Sequence, residues 1–305
     1  MYTGEKIVLR LLKKNKGIED IFDLGFPKDE EILKNSFDKR NSITVIAAPT
    51  GEGKTTTLYS IRSIIEDSMR DVMYEVPSNS KITKCIITKD VVEKKAKAQI
   101  EIDENTSFAS SLRTVLRQDP DIILVGEIRD LETAEIAMQS GQTGHYVLST
   151  IHTIDAIEVV TRLRKMGISN YDIASTLATS VSQRLVRRIC PYCSKERDYT
   201  EEEKKIITEI GEKNNTKFDL TKKKTFDTCG CEKCNYTGFL GRIAAFEVLN
   251  LDDEIKQAIM EEKSTIEIRK IAMTKNYRPL VVDAIKKVIE GYTTLKEVNN
   301  KLALY

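Results

Sequence analysis

The stretch Ile43–Thr55, ITVIAAPTGEGKT, decides how this chain folds. Its first part, Ile43 to Ala48, is a short and nearly uninterrupted apolar run, as in a strand buried on both faces of a parallel sheet. Its second part, Ala48 to Thr55, is a glycine-bearing turn. Beyond it, Leu58, Ile61, Ile64 and Ile65 fall on one helical face. A strand running through such a turn into a helix is the setting in which this spacing signifies a phosphate-binding loop. Small residues let successive amides point at phosphate oxygens, and the amino end of the helix adds its dipole. Thr50, Gly51, Gly53, Lys54, Thr55 and Thr56 are the candidate binding residues. Lys54 is placed to reach the β- and γ-phosphates of ATP, and the Thr55 hydroxyl to ligate Mg²⁺. Ala48 stands where the pattern has its first glycine, and alanine lacks the freedom of glycine at positive φ.

Working outward, Ile122–Val125 (IILV) and Tyr146–Thr150 (YVLST) read as two more buried strands. Between them, Leu131 to Gln139 has helical spacing and is expected to stop near Gly141. Strand and helix alternate, so the expected core is α/β with a mostly parallel sheet. Lys6 to Leu12 alternates as a lone strand, which reads as the end of a domain begun earlier. Gly25 to Arg40 reads as a turn and then a helix. From Cys190 to about Gly241 the chain turns charged and cysteine-bearing. After it an all-helical tail is expected, in which Ser264–Glu267 and Thr294–Glu297 fit the capping box and Gly291 marks a helix end. The predicted division is a terminal strand (1–12), a core (13–189), an insertion (190–241) and a helical region (242–305).

The chain has 305 residues, 40% hydrophobic and 31% charged, which places it among folded globular proteins and not disordered ones. A net charge of +1 supplies no general attraction to nucleic acid or anionic membrane, so no nucleic-acid partner is expected. No apolar run reaches the roughly 20 residues that span a bilayer. The beginning also lacks a secretory-signal layout. A cytoplasmic chain is expected, meeting the membrane only through partners.

In a cytoplasmic chain, six cysteines point to metal or free thiols more than to disulfides. Cys190-Pro-Tyr-Cys193 and Cys231-Glu-Lys-Cys234 form two CxxC turns. Together they offer four thiolates, the set that closes a tetrahedral structural Zn²⁺ site. Cys229 is a fifth candidate ligand. A redox CxxC lacks the βαβ setting it needs, and Cys85 reads as a small apolar filler.

From Phe108 to Ala156 the chain reads FASSLRTVLRQDPDIILVGEIRDLETAEIAMQSGQTGHYVLSTIHTIDA. This resembles the ATPases of type IV pilus assembly and type II secretion. Gly126-Glu127 matches the family's Walker B ending, and Thr143-Gly144-His145, Ser149-Thr150 and His152 match its histidine box. The chain has two histidines, and both fall in that box. The likeness continues through Gln183-Arg184-Leu185, the cysteine region and the tail.

The resemblance implies a RecA-like P-loop NTPase core carrying a tetracysteine zinc insertion and a helical tail. It implies ATP, Mg²⁺ and Zn²⁺ as cofactors. It also implies a homo-hexamer that works at the membrane against an inner-membrane platform protein to drive pilin or pseudopilin assembly. By the same likeness Glu127 orients Mg²⁺ or the attacking water, and His145 and His152 report the γ-phosphate state to a neighbouring subunit. The tetracysteine element marks the assembly and secretion branch. Arg113, Arg117 and Arg129 lie in the matching stretch and fit either an interface role or ordinary ion pairing.

Two departures stand out. The family's acidic box, roughly Glu-Asp-Pro-Ile-Glu, has Tyr74-Glu75-Val76-Pro77-Ser78-Asn79 as its counterpart here. Glu75 remains, but Val76 replaces the aspartate and Asn79 the final glutamate, and an amide is no base. The family's N-terminal domain ends in a strand like Gly4–Arg10, so the expectation is either that this sequence is a fragment or that the gene encodes only the motor half. These departures raise an alternative, a ring subunit that binds nucleotide but hydrolyses it poorly. A DNA-uptake or conjugation motor is a third reading.

Overall fold

The computed structural model describes residues 20–28, 41–68, 73–76, 97–99, 112–114, 116–117, 120, 122–275 and 277–303. The expected strand at Lys6–Leu12, the helix after Pro27, Asn79 and Cys85 lie outside the described residues. Seven strands form one sheet, ordered β3-β2-β4-β5-β1-β6-β9. They are β1 (Ser42–Ala47), β2 (Met73–Val76), β3 (Lys97–Gln99), β4 (Ile122–Val125), β5 (Tyr146–Ile151), β6 (Leu177–Ile189) and β9 (Phe239–Asn250). Each neighbouring pair is parallel except β6 with β9. The α/β core with a mostly parallel sheet is therefore present as expected.

β1 is buried along its whole length between β5 and β6. Ile43 and Val45 face a core shared with α2 (Leu131–Gln142), α3 (Glu158–Met166) and α4 (Asn170–Thr176). Ile46 faces the opposite core, where Leu58 and Ile61 of α1 (Lys54–Ser68) pack beside Ile21 and Phe26. Burial on both sides is why the run had to be apolar throughout.

The helix after β4 runs to Gln142, ending within one residue of Gly141 as expected, and the sequence reading needs two corrections elsewhere. A Cβ on Gly141 would lie 2.6 Å from Thr176 Cγ2 and 3.2 Å from Ile43 Cγ1, so this glycine lets α2 lie close against β1 and α4. The chain after Gly241 is not all helical, because β9 occupies Phe239–Asn250. There the backbone pairs with β6 from Ile189↔Phe239 to Thr179↔Asn250. Helices α6 (Asp253–Met260), α7 (Thr265–Met273), α8 (Leu280–Ile289) and α9 (Leu295–Leu302) follow. The second correction concerns caps. Ser264 and Glu267 make the reciprocal box at the start of α7. At α9, Thr294 caps the Glu297 amide, but the Glu297 carboxylate is buried and turns to the Arg187 amide and guanidinium.

Between β6 and β9 sits a small module. β7 (Ser194–Arg197) pairs antiparallel with β8 (Thr225–Thr228), and α5 (Glu201–Lys213) lies between them in sequence. Ile207 and Ile210 of α5 share a core with Val186, Ile243, Ala284 and Val288. Arg197 ties the module together through Glu203 at 2.7 Å and Asp227 at 2.8 Å. Among the described residues, no helix is long and apolar enough to cross a membrane.

Candidate functional site

The loop between β1 and α1 lies at the carboxyl edge of the parallel strands, where α/β sheets place their ligands. Gly51 and Gly53 both sit at φ +83°, the conformation that glycine allows at no steric cost. Ala48 is buried and does not take a left-handed conformation, so the missing first glycine costs this loop nothing. A cleft opens here, lined by Thr50, Gly51, Gly53, Lys54, Thr55, Glu127, Arg129 and His152. Thr55 is exposed on the first turn of α1. Thr56 lies one position further on and does not line the cleft.

Four charged or titratable groups are linked across the cleft. Lys54 Nζ donates to the carbonyls of Ala48 at 2.7 Å and Pro49 at 3.2 Å, and it lies 3.3 Å from His152 Nδ1. The other ring nitrogen, Nε2, is 2.8 Å from Glu127 Oε1. Glu127 Oε2 is 2.8 Å from Arg129 Nη2. Both neighbours of His152 are satisfied by one tautomer, with Nε2–H donating to Glu127 and Nδ1 accepting from Lys54. Burial holds the Lys54 ammonium below its usual pKa; Glu127 opposes that effect and the Arg184 charge adds to it. The cleft can thus present a cation, a carboxylate and an imidazole within one bonded set.

β4 and β5 hold that set in place. Thr150 Oγ1 donates to Gly126 O at 2.7 Å, and the Ile128 amide donates to Thr150 O at 2.9 Å. Glu75 and Val76 lie at the carboxyl end of β2, in register with Leu124 and Val125. The first part of the degenerate box, Tyr74 to Val76, therefore runs beside the strand that leads to Glu127.

His145 is elsewhere. It precedes β5, whereas His152 follows it, so seven steps along an extended strand separate them, about 23 Å at ~3.3 Å per residue. His145 Nδ1 lies 2.9 Å from Ser140 O, so it carries the proton and closes the end of α2. The two histidines of the linear motif are not brought together in this chain. Of the three arginines, Arg129 joins the cleft, Arg113 pairs with Glu132 at 3.2 Å on the surface, and Arg117 is exposed.

The run Gln183-Arg184-Leu185, where the family likeness continues, has a role at the loop that its sequence alone does not reveal. Gln183 Nε2 donates to Glu52 O, and the Leu185 amide donates to the Glu52 carboxylate at 2.6 Å. β6 thereby grips the middle of the phosphate loop. Buried Arg184 donates to Ile154 O at 2.8 Å, just past His152. An acidic residue inside the loop and a polar run in the neighbouring strand were the available signal.

The four cysteines expected to hold zinc are together. Sγ atoms of Cys190, Cys193, Cys231 and Cys234 lie within 4.8 Å of one another. The Cys190–Cys231 separation is 3.9 Å, and those of Cys193–Cys234 and Cys231–Cys234 are 3.8 Å. Tetrahedral Zn²⁺ with bonds of about 2.3 Å requires sulfurs about 3.8 Å apart, so the donor set and its spacing fit the ion. The amides of Cys231 and Gly238 donate to Cys234 Sγ at 3.2 and 3.3 Å, which favours thiolate there. Cys229 is exposed and outside the group. Four sulfurs leave no open ligand position, so the bound ion would hold structure and perform no chemistry.

A phosphate-binding loop at the carboxyl edge of a parallel sheet, faced by a carboxylate, with four clustered thiols beyond β6, defines the class: a P-loop α/β protein with a four-cysteine module. The chain matches the family described as Type II/IV secretion system protein over residues 1–300, and it belongs to that family. It is 40% identical over 303 residues to the "Type IV pilus assembly ATPase PilB" of Thermus thermophilus, covering 97% of this chain and 32% of that one. It is 37% identical over 299 residues to the "Type II secretion system protein E" of Aeromonas hydrophila, covering 97% and 56%. The chain thus spans about a third to just over half of these relatives. Among solved structures, the pilus retraction motor PilT with bound ADP shares the fold, with a TM-score of 0.66 and 24% identity over 96% of this chain and 68% of that one.

Proposed function

We propose that this chain is the ATP-hydrolysing motor part of a machine for type IV pilus assembly or type II secretion. The observation that carries the proposal is the bonded set Lys54–His152–Glu127–Arg129 around the phosphate loop. Phosphoryl transfer depends on positioning and charge more than on covalent chemistry by the protein. In this reading Lys54 exchanges its carbonyl partners for the β- and γ-phosphates, and Thr55 ligates Mg²⁺. Glu127 orients the attacking water or the metal, and His152 holds Glu127. Arg129 is then available to the developing charge. Zn²⁺ on the four cysteines fixes the module beyond β6. In this reading the chain works as a homo-hexamer at the cytoplasmic face of the membrane, acting on a platform protein. In such a ring His145 serves a neighbouring subunit and not its own cleft.

The test is steady-state phosphate release by the purified chain and by Glu127→Gln. Retained Mg-ADP binding with turnover lowered about 10²-fold is expected, the scale for removing a single electrostatic or acid–base group. Equal turnover in both proteins would remove Glu127 from the chemistry.

A second reading, nucleotide binding with slow hydrolysis, is supported by Val76, which stands beside Val125 of the Glu127 strand. Val76→Asp with Asn79→Glu then raises turnover without tightening ATP binding. No change in turnover would end this reading.

A further inference from the structure

Glu247 lies in the middle of β9 and is 2% exposed. Burial raises its pKa, while the amides of Ala156 and Leu280 work in the opposite direction. Those amides come from two distant parts of the chain. Oε1 accepts from Ala156, in the loop that follows β5 and carries His152, at 2.8 Å. Oε2 accepts from Leu280, the first residue of α8, at 2.9 Å. α8 answers with Asp283, whose Oδ2 accepts from the Phe246 amide at 2.8 Å, so strand and helix exchange bonds through adjacent β9 residues.

The same loop is held from α7. Arg269 Nη2 donates to Asp155 Oδ2 at 2.6 Å, and Nη1 donates to the Tyr277 hydroxyl at 3.2 Å. Tyr277 is itself buried beside Glu247, whose charge adds to the burial that raises the tyrosine's pKa. With Arg184 on Ile154 O, the residues just after His152 are fastened to β6, β9 and α7. A buried carboxylate is a costly way to hold two amides unless both must stay in a fixed relation.

We infer that Glu247 is a positioning residue for the phosphate cleft, one carboxylate that fixes the His152 loop on one oxygen and the amino end of α8 on the other. The inference rests on the hydrolytic reading above for its kinetic part and only on nucleotide binding for its structural part. His152 reaches Lys54 and Glu127 together because its loop is pinned three and four residues later. A change in that loop on nucleotide binding is felt at α8 through the shared carboxylate, and by linkage the effect runs both ways.

Glu247→Gln tests this with nearly the same shape. A carboxylate only accepts, whereas the amide sets an NH₂ group against one of the two backbone donors, so the loop or the helix end must shift. Arg269→Gln opens the same circuit from its half-exposed side. The full chain and both variants are compared by Mg-ADP titration calorimetry, steady-state phosphate release, and hydrogen–deuterium exchange over residues 280–289 with and without Mg-ADP.

The expected result is a nucleotide-dependent slowing of exchange in wild-type α8 that is lost in the variants. Their ADP affinity and KM stay within about threefold, and kcat falls about tenfold, in line with the steep cost of sub-ångström misplacement. Unchanged kcat with an intact exchange response overturns the inference, as does a loss of affinity that matches the loss of turnover. A wild-type α8 that does not respond to bound ADP also overturns it. If wild type binds ADP but releases no phosphate, the hydrolytic reading falls and the exchange result alone decides the inference. If wild type binds no ADP, both fall. If Glu247→Gln does not fold, Arg269→Gln decides by the same measurements.

Discussion

The phosphate cleft and the four-thiol cluster both lie beyond the carboxyl edge of the sheet, yet they handle charge in opposite ways. In the cleft, cation, imidazole, carboxylate and guanidinium alternate, and each already has a partner. In the cluster, four groups of one kind face one another within 4.8 Å, and a cation is what can satisfy all four as thiolates. The cleft is therefore built to exchange partners, since Lys54 must leave the carbonyls of Ala48 and Pro49 to meet phosphate. The cluster is built to keep one partner. Working sites and structural sites can be told apart by whether their groups satisfy each other.

The largest effect expected from this contrast belongs to the cluster. Cys234→Ser should lower zinc from one equivalent to well below half and open the 195–230 segment to protease, since structural zinc contributes roughly 10 kcal/mol or more to small sites. Mg-ADP affinity should stay within about twofold. Elemental analysis, limited proteolysis and calorimetry together check this, and joint loss of zinc and ADP binding would break the separation of the two regions. Next comes Lys54→Ala, which removes a charged hydrogen-bond donor worth about 1.5–3 kcal/mol and should weaken Mg-ADP about 10- to 100-fold. Zinc content should not move.

A finer cut compares the two histidines. His152→Ala unties Lys54 from Glu127 and should lower turnover about tenfold, while His145→Ala should alter the turnover of an isolated chain by less than about threefold. The latter should cost about 1 kcal/mol of stability for its lost bond to Ser140 O, read by chemical denaturation. Equal losses of turnover in an isolated chain would show that both act within one cleft. The smallest effect is that of Ala48→Gly. Because position 48 uses no left-handed conformation, ADP affinity should be unchanged and stability lower by about 0.5–1 kcal/mol. Tighter binding by the glycine variant would mean that the loop is strained after all.

Legibility in the sequence followed how local each feature is. The phosphate loop is nine consecutive residues, Ala48 to Thr56, with its strand and helix attached, so pattern alone located it. The CxxC pairs carry their own geometry and were equally plain. β9 was missed because Arg242 to Asn250 has no clean alternation. It is buried on both faces from Ile243 to Glu247, beside β6 and against α8, and a burial pattern of that kind also fits a helix. The histidine motif was legible as a motif but not as a distance, because a strand converts seven positions of sequence into opposite edges of a sheet. Glu297 fitted a cap by spacing, but only the fold brings Arg187 within reach of its carboxylate. Glu247 had a faint signal, a lone charge in the run Ala244-Ala245-Phe246-Glu247-Val248-Leu249, but its two partners are 33 and 91 positions away.

β6 also has a mechanical consequence. It is anchored at Leu185, whose amide holds Glu52 of the phosphate loop, and supported at Arg187 by Glu297 of the last helix; it ends against Cys190. The two supports are two residues apart and the overhang is three, about 7 and 10 Å at ~3.3 Å per residue. One continuous strand therefore joins the phosphate loop, held at Leu185, to Cys190 of the four-thiol cluster, and β9 is paired with it as far as Ile189.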